Sequence, residues 1–374
     1  MGRKTFLVCI LILFALFPLA AQMTVSGILD SSVSMTTGSE FSFGIEEYAN
    51  LRFQTRIRDR ATIFGAVNLI AAAGDYAVNA AMMSADDSFM NTTAYAAGEN
   101  YIAGIELERL FFRLNFEALD LEGGLFRLPF GYGQIWGSSD FLNPRNPLKP
   151  DARPRAVLGA GLSWYPTDDI KLLGFTAAPR NPFSNDGSGM LFGISGDRHG
   201  EKSSVQSLYS YEIRKDGIDT GTHRLGFSVK ADVEIGLVMD LLYTYNSETI
   251  TGIDGLSLSM GGDYSFIDGK LIVLGEYLYN GEMSSTAFGY GGYFPNRHYL
   301  YTGFTWLFND FTNMNTAFIF SFDRFSFTPV VTVNHDLFQG AVLTIMTQMP
   351  LDRDVIDGYS NFSLIFSARL RLRF

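Results

Sequence analysis

Eight arginines stand in three alternating runs. Arg52, Arg56 and Arg58 alternate with Leu51, Phe53 and Ile57. Arg109 and Arg113 alternate with Leu110, Phe112 and Leu114. Arg369, Arg371 and Arg373 alternate with Leu370, Leu372 and Phe374. Successive side chains on a strand point to opposite faces, so each run puts its guanidinium groups on one face and its apolar groups on the other. Guanidinium stays charged at physiological pH and does no acid–base work. Gathered on one wall, such groups raise the local potential and the local anion concentration. The chemistry implied is charge selection. The plainer alternative is that these arginines solvate a polar interior and pair with Glu47, Glu117, Glu122 or Asp30.

A second group lies in the proline-rich segment 129–155, which holds Trp136, Asp140, Arg145, Lys149, Arg153 and Arg155. Proline fixes the backbone and Trp supplies a rigid anchor, which predicts an ordered loop. Folded inward, it would set a positive eyelet of Arg145, Lys149, Arg153 and Arg155 against Asp140 and Asp151. Folded outward, it would be a lid.

Bond-making chemistry finds no support. The four histidines, His199, His223, His298 and His335, show no triad or metal-ligand spacing. The acid pairs Asp86-Asp87, Asp168-Asp169 and Asp352/Asp354 fall in loops or turns. We expect no enzyme, no cofactor and no metal.

The elements that position these residues are strands. The segment 361–374 alternates throughout, with Phe362, Leu364, Phe366, Ala368, Leu370, Leu372 and Phe374 on one face. Strands of about ten residues recur upstream, joined alternately by tight turns and longer polar loops, as in a transmembrane barrel. The least clear segment is 179–202, where the topology requires a strand near 189–196. Tyr209/Tyr211, Tyr243/Tyr245 and Tyr277/Tyr279 end apolar faces as an aromatic girdle would. Asp240, Thr244, Asn246, Glu276 and Asn280 fall on the opposite faces and are expected in a wet lumen. Hydrocarbon offers no partner to an unpaired backbone group, so the sheet must close, with the last strand against the first. The fold class expected is all-β: a closed antiparallel transmembrane β-barrel of about 16–18 strands, 18 favoured, without a plug domain.

At the N-terminus, Arg3 and Lys4, an apolar run from Phe6 to Leu19, and Ala20-Ala21 have the parts of a secretory signal peptide. That divides the chain into a signal peptide, 1–21, and a barrel, 22–374. Cys9, the one cysteine, lies in the part removed, which excludes disulfides. The net charge of −11 and the lack of a basic stripe argue against nucleic acid.

The segment from Gly124 to Leu148, with Trp136-Gly137, Asn143-Pro144 and Asn146-Pro147, resembles one found in families of large porin-like outer-membrane proteins. The resemblance implies passage of small hydrophilic solutes, with weak anion preference if the arginines act together. The last strand, with Phe366, Leu370, Leu372 and Phe374, resembles the signal read by the barrel-assembly machinery. Partners implied are outer-membrane lipid, that machinery and small solutes, with the chain a monomer or a homotrimer. Two rival readings are a transporter of hydrophobic compounds of the fatty-acid type, a class with an N-terminal hatch that is not expected here, and a surface adhesin or structural barrel.

Overall fold

The computed structural model describes residues 23–38, 41–57, 60–75, 77, 94–143, 154, 156–178, 189–213, 221–246, 252–281, 296–352 and 363–374. Residues 1–21, expected to be a signal peptide, lie outside them. Nineteen strands follow in chain order. The first six are β1 (Met23–Thr37), β2 (Ser42–Ile57), β3 (Ala61–Ala73), β4 (Ala94–Ala97), β5 (Tyr101–Asn115) and β6 (Leu119–Phe126). The next six are β7 (Val157–Thr167), β8 (Ile170–Ala178), β9 (Met190–His199), β10 (Ser203–Ile213), β11 (Thr222–Val233) and β12 (Ile235–Tyr245). The last seven are β13 (Leu256–Phe266), β14 (Leu271–Asn280), β15 (His298–Asn309), β16 (Thr312–Ser321), β17 (Ser326–Phe338), β18 (Ala341–Gln348) and β19 (Leu364–Arg373).

All pairings are antiparallel, and β19 pairs with β1 from Ile28↔Arg373 to Thr37↔Leu364, which closes the barrel. Phe374 completes the seam: its N–H donates to the Gly27 carbonyl at 3.2 Å, and the Gly27 N–H donates back at 2.8 Å. Eighteen strands form the wall; β4 is additional. Because β5 pairs with β3 along one edge, β4 takes the other, matching Ala94↔Ile105 to Ala97↔Ile102, above the stretch where β6 pairs. The strand required near 189–196 is β9, paired on both sides. Among the described residues no segment forms a separate plug domain.

The outer face is apolar and exposed. Val25, Leu29 and Val33 on β1, Phe192 and Ile194 on β9, and Leu225 and Phe227 on β11 all lie on it. Tyr209 and Tyr245 lie on the same face, ringing His223; the Tyr209 hydroxyl is 3.0 Å from His223 Nδ1. The Tyr277 hydroxyl meets His298 Nδ1 at 2.6 Å in the same way.

The inner face departs from the expectation of a uniformly wet lumen. Apolar residues Leu173, Phe175, Leu191, Leu208 and Leu242 point inward and are buried, packed with Phe126, Leu128, Phe130, Phe141 and Leu142. Asp240, Thr244, Asn246, Glu276 and Asn280 face inward as expected but are buried rather than wet, with Asp240 and Glu276 at 0% and 1% exposure. For Asp240 and Glu276 the cause is the chain after β6, which turns into the barrel and covers them.

Candidate functional site in the barrel interior

The inward segment 127–143 is fastened by backbone groups. The N–H groups of Tyr132 and Gly133 each donate to the Asp240 carboxylate on β12 at 2.8 Å. Those of Gln134 and Ile135 donate to Glu276 Oε2 on β14 at 3.0 Å, and that of Trp136 donates to Oε1 at 2.9 Å. Five successive amides therefore wrap two buried carboxylates. Hydrogen bonds to an ionised acceptor are about twice as strong as neutral ones, and they satisfy charges that burial would otherwise penalise heavily. Glycine permits the approach. A Cβ on Gly131, whose φ is +81°, would come within 2.5 Å of Asp240, and one on Gly133 would come within 2.6 Å of the Gly137 backbone.

Side chains complete the docking. Trp136 is fully buried with Leu278, Tyr299 and Ile319, and its ring centre lies 5.6 Å from that of Tyr299. Its indole N–H reaches the Glu276 carbonyl at 3.3 Å. The Gln134 amide donates to Asp263 at 2.6 Å. Phe141 lies 4.9 Å from the Arg224 guanidinium, which pairs with Glu212 at 2.8 Å. Burial, with Asp197 and Asp240 close by, pushes the Tyr132 phenol up to about 12; it stays a neutral hydroxyl. Asp140 is buried and accepts the Asn143 N–H at 3.3 Å. It braces the loop and is not the water-facing acid expected from sequence. Arg145, Lys149, Arg153 and Arg155 lie outside the described residues.

The neck of the loop is also tied. Between Ala66↔Arg109 and Val67↔Leu107 the register shifts, so Glu108 is an extra residue on β5. A bulge of this kind lets neighbouring side chains share a face, and Glu108 turns inward beside Arg109. Its carboxylate accepts from Asn50 at 2.5 Å and from Arg127 at 2.8 Å. Arg127 in turn donates to the Pro154 carbonyl at 2.6 Å, bridging the two ends of segment 127–154. Sequence reading missed Asp240, Glu276, Glu108 and Arg127 as a set. The glycines at 131, 133 and 137 were the one available sign of close backbone approach.

The described arginines face the interior from β19, β2 and β5, which with β1 and β3 between them are contiguous, toward the end that carries the tight turns. Paired positions place Arg52 and Arg109 on either side of Ala66 in one row. Several are neutralised by neighbours. Arg371 makes a two-pronged bond to Asp30 at 2.8 and 2.6 Å, and Arg113 bonds Glu122 at 3.0 and 3.2 Å. Arg109 lies 3.5 Å from Glu108 and stacks over Phe64 at 4.5 Å. Arg52 donates to Asn50 at 2.8 Å. Arg56 and Arg373 are exposed and make no ion pair among the described residues. Arg369 lies beside Thr344 and Ser32. Arg58 lies outside the described residues. The expected carboxylate partners Asp30 and Glu122 are found; Glu47 instead accepts from Ser31 at 2.6 Å. Among the described residues no group of His, Cys, Asp and Glu is arranged to hold a metal.

No family model matches the sequence, and no curated protein matches it. Solved structures share its fold across nearly their whole length. OccAB4 of Acinetobacter baumannii superposes with a TM-score of 0.58 at 10% identity, covering 95% of this chain and 99% of that one. The outer membrane protein OpdK of Pseudomonas aeruginosa gives a TM-score of 0.58 at 8% identity, over 94% and 98%. OccK8 (OprE) of the same organism gives 0.56 at 10% identity, over 94% and 98%. The chain has the barrel fold of outer-membrane porins.

Proposed function

We propose that this chain is an outer-membrane porin: a passive, water-filled channel for small hydrophilic solutes, with a weak preference for anions. The observation that carries the reading is the pair of opposed interior surfaces. One is an arginine-bearing wall on β19 to β5; the other is a wall on β8 to β16 covered by a loop pinned to Asp240 and Glu276. A loop fixed this firmly is suited to define a bore of constant width beside the arginines. The porin fold of its structural neighbours supports the same reading.

Selection then works by size and by field. Low-dielectric walls focus the potential of like charges, but Arg371, Arg113 and Arg109 have carboxylate neighbours. The residual field comes chiefly from groups such as Arg56 and Arg373, so the preference is modest. No bond is made or broken. Export by the N-terminal segment, insertion through the assembly machinery guided by Phe366, Leu370, Leu372 and Phe374, and a monomeric or trimeric state belong to the same proposal. Solute flux into proteoliposomes tests it: small sugars and amino acids enter faster than into protein-free vesicles, and equal rates would reject the channel.

A further inference from the structure

One sector of the interior is neither basic nor covered by the docked loop. On β15 to β18, toward the tight-turn end, the inward positions carry Thr305, Asn313, Asn315, Asn334 and Thr344, joined side chain to side chain. The Thr305 hydroxyl donates to Asn315 Oδ1 at 2.7 Å, and the Thr344 hydroxyl donates to Asn334 Oδ1 at 2.8 Å. The amides of Asn315 and Asn334 both donate to Asn313 Oδ1, at 3.2 and 3.0 Å. The rail spans four strands and ends at Thr344, which lies opposite Arg369 in the register.

The directions of these bonds matter. Every amide oxygen of the three asparagines accepts a bond from within the rail. An amide nitrogen has two donors, so among the described residues both N–H groups of Asn313 and one each of Asn315 and Asn334 stay unspent. All three residues are only half-buried. The rail therefore shows donors, and no charge, to the bore. Uncharged amides shed water at far lower cost than ionised groups, while the arginine sector next door draws anions to itself. Oxygen acceptors of a neutral solute, spaced along a carbon chain or ring, fit such a row.

We propose that the Asn313–Asn315–Asn334 rail is a binding ledge for neutral polyhydroxylated solutes, monosaccharides and polyols, which adds a second, uncharged selectivity to the channel. The proposal rests on the channel reading above. Its test is the open-channel current of the full-length protein in a planar bilayer, titrated with glucose. In the native protein the current falls below what the drop in bulk conductivity explains and saturates. In Asn313→Ala the half-saturating glucose concentration rises about fivefold, as loss of one or two hydrogen bonds implies, with the anion preference unchanged. Asn334→Ala removes a different donor of the rail without touching residue 313, so it too raises the half-saturating concentration, even if Asn313→Ala fails to fold. A native current that tracks bulk conductivity, or unchanged saturation in the Ala variant that folds, overturns the ledge and leaves the channel standing. Absence of any open step removes the channel and the ledge with it.

Discussion

Glu276 holds Trp136 at two points: its carboxylate accepts the Trp136 backbone N–H at 2.9 Å, and its own carbonyl accepts the indole N–H at 3.3 Å. A strand residue and a loop residue 140 positions apart are thereby locked in one geometry. Glu276→Gln retains shape but replaces charge-assisted bonds with neutral ones, a loss of roughly 1–2 kcal/mol. The expected result is a barrel that still folds, judged by heat-modifiable mobility, with greater open-current noise. Native noise in this variant would mean that the carboxylate does not restrain the loop.

Gly133 tests the same docking without altering charge. A Cβ there would sit 2.6 Å from the Gly137 nitrogen and 2.8 Å from Asp240. Gly133→Val should displace the loop from the wall and raise single-channel conductance. Unchanged conductance would place residues 131–137 away from the path of the ions.

Arg371 and Asp30 form a buried pair across the closing seam, with side-chain exposures of 16% and 9%. Removing one partner strands the other, which costs about 3–5 kcal/mol for buried pairs. Arg371→Ala should therefore lower the heat-modification temperature more than the double variant Asp30→Ala/Arg371→Ala does. A double variant as unstable as the single one would show that the pair is not coupled.

Phe374 ends the seam, its ring lying over Gly27, where a Cβ would come within 2.4 Å of it. Deleting Phe374 removes both the backbone bonds to Gly27 and the terminal aromatic. Folded protein in the outer-membrane fraction should fall several-fold; an unchanged amount would show that neither closure nor assembly depends on that residue.

Much of this architecture was legible from period-two alternation, because each strand meets lipid on one side and the interior on the other. β19 and most of the run from β10 to β18 carry that pattern, broken by the register shifts at Leu307/Asn309 and Asp336/Phe338. The Tyr209/Tyr211 and Tyr277/Tyr279 pairs were legible for the same reason. β4 was not: its Ala-Tyr-Ala-Ala sequence has no alternation to read. The bulge at Glu108 was hidden because either parity puts a charged residue inward. The burial of Asp240 was beyond local pattern altogether, since Tyr132, which covers it, lies 108 residues away. Asp240 and a solvated lumen acid look alike until the covering segment is placed.

The most direct test of the account is ion selectivity of purified protein in a planar bilayer. The arginine wall predicts discrete open steps and a reversal potential of anionic sign. That sign should be clearest near 0.1 M salt, where the Debye length is about 10 Å, and should fade near 1 M, where it is about 3 Å. Arg56→Glu/Arg373→Glu should invert it. Cation preference in the native protein, or no open steps at all, would contradict the account.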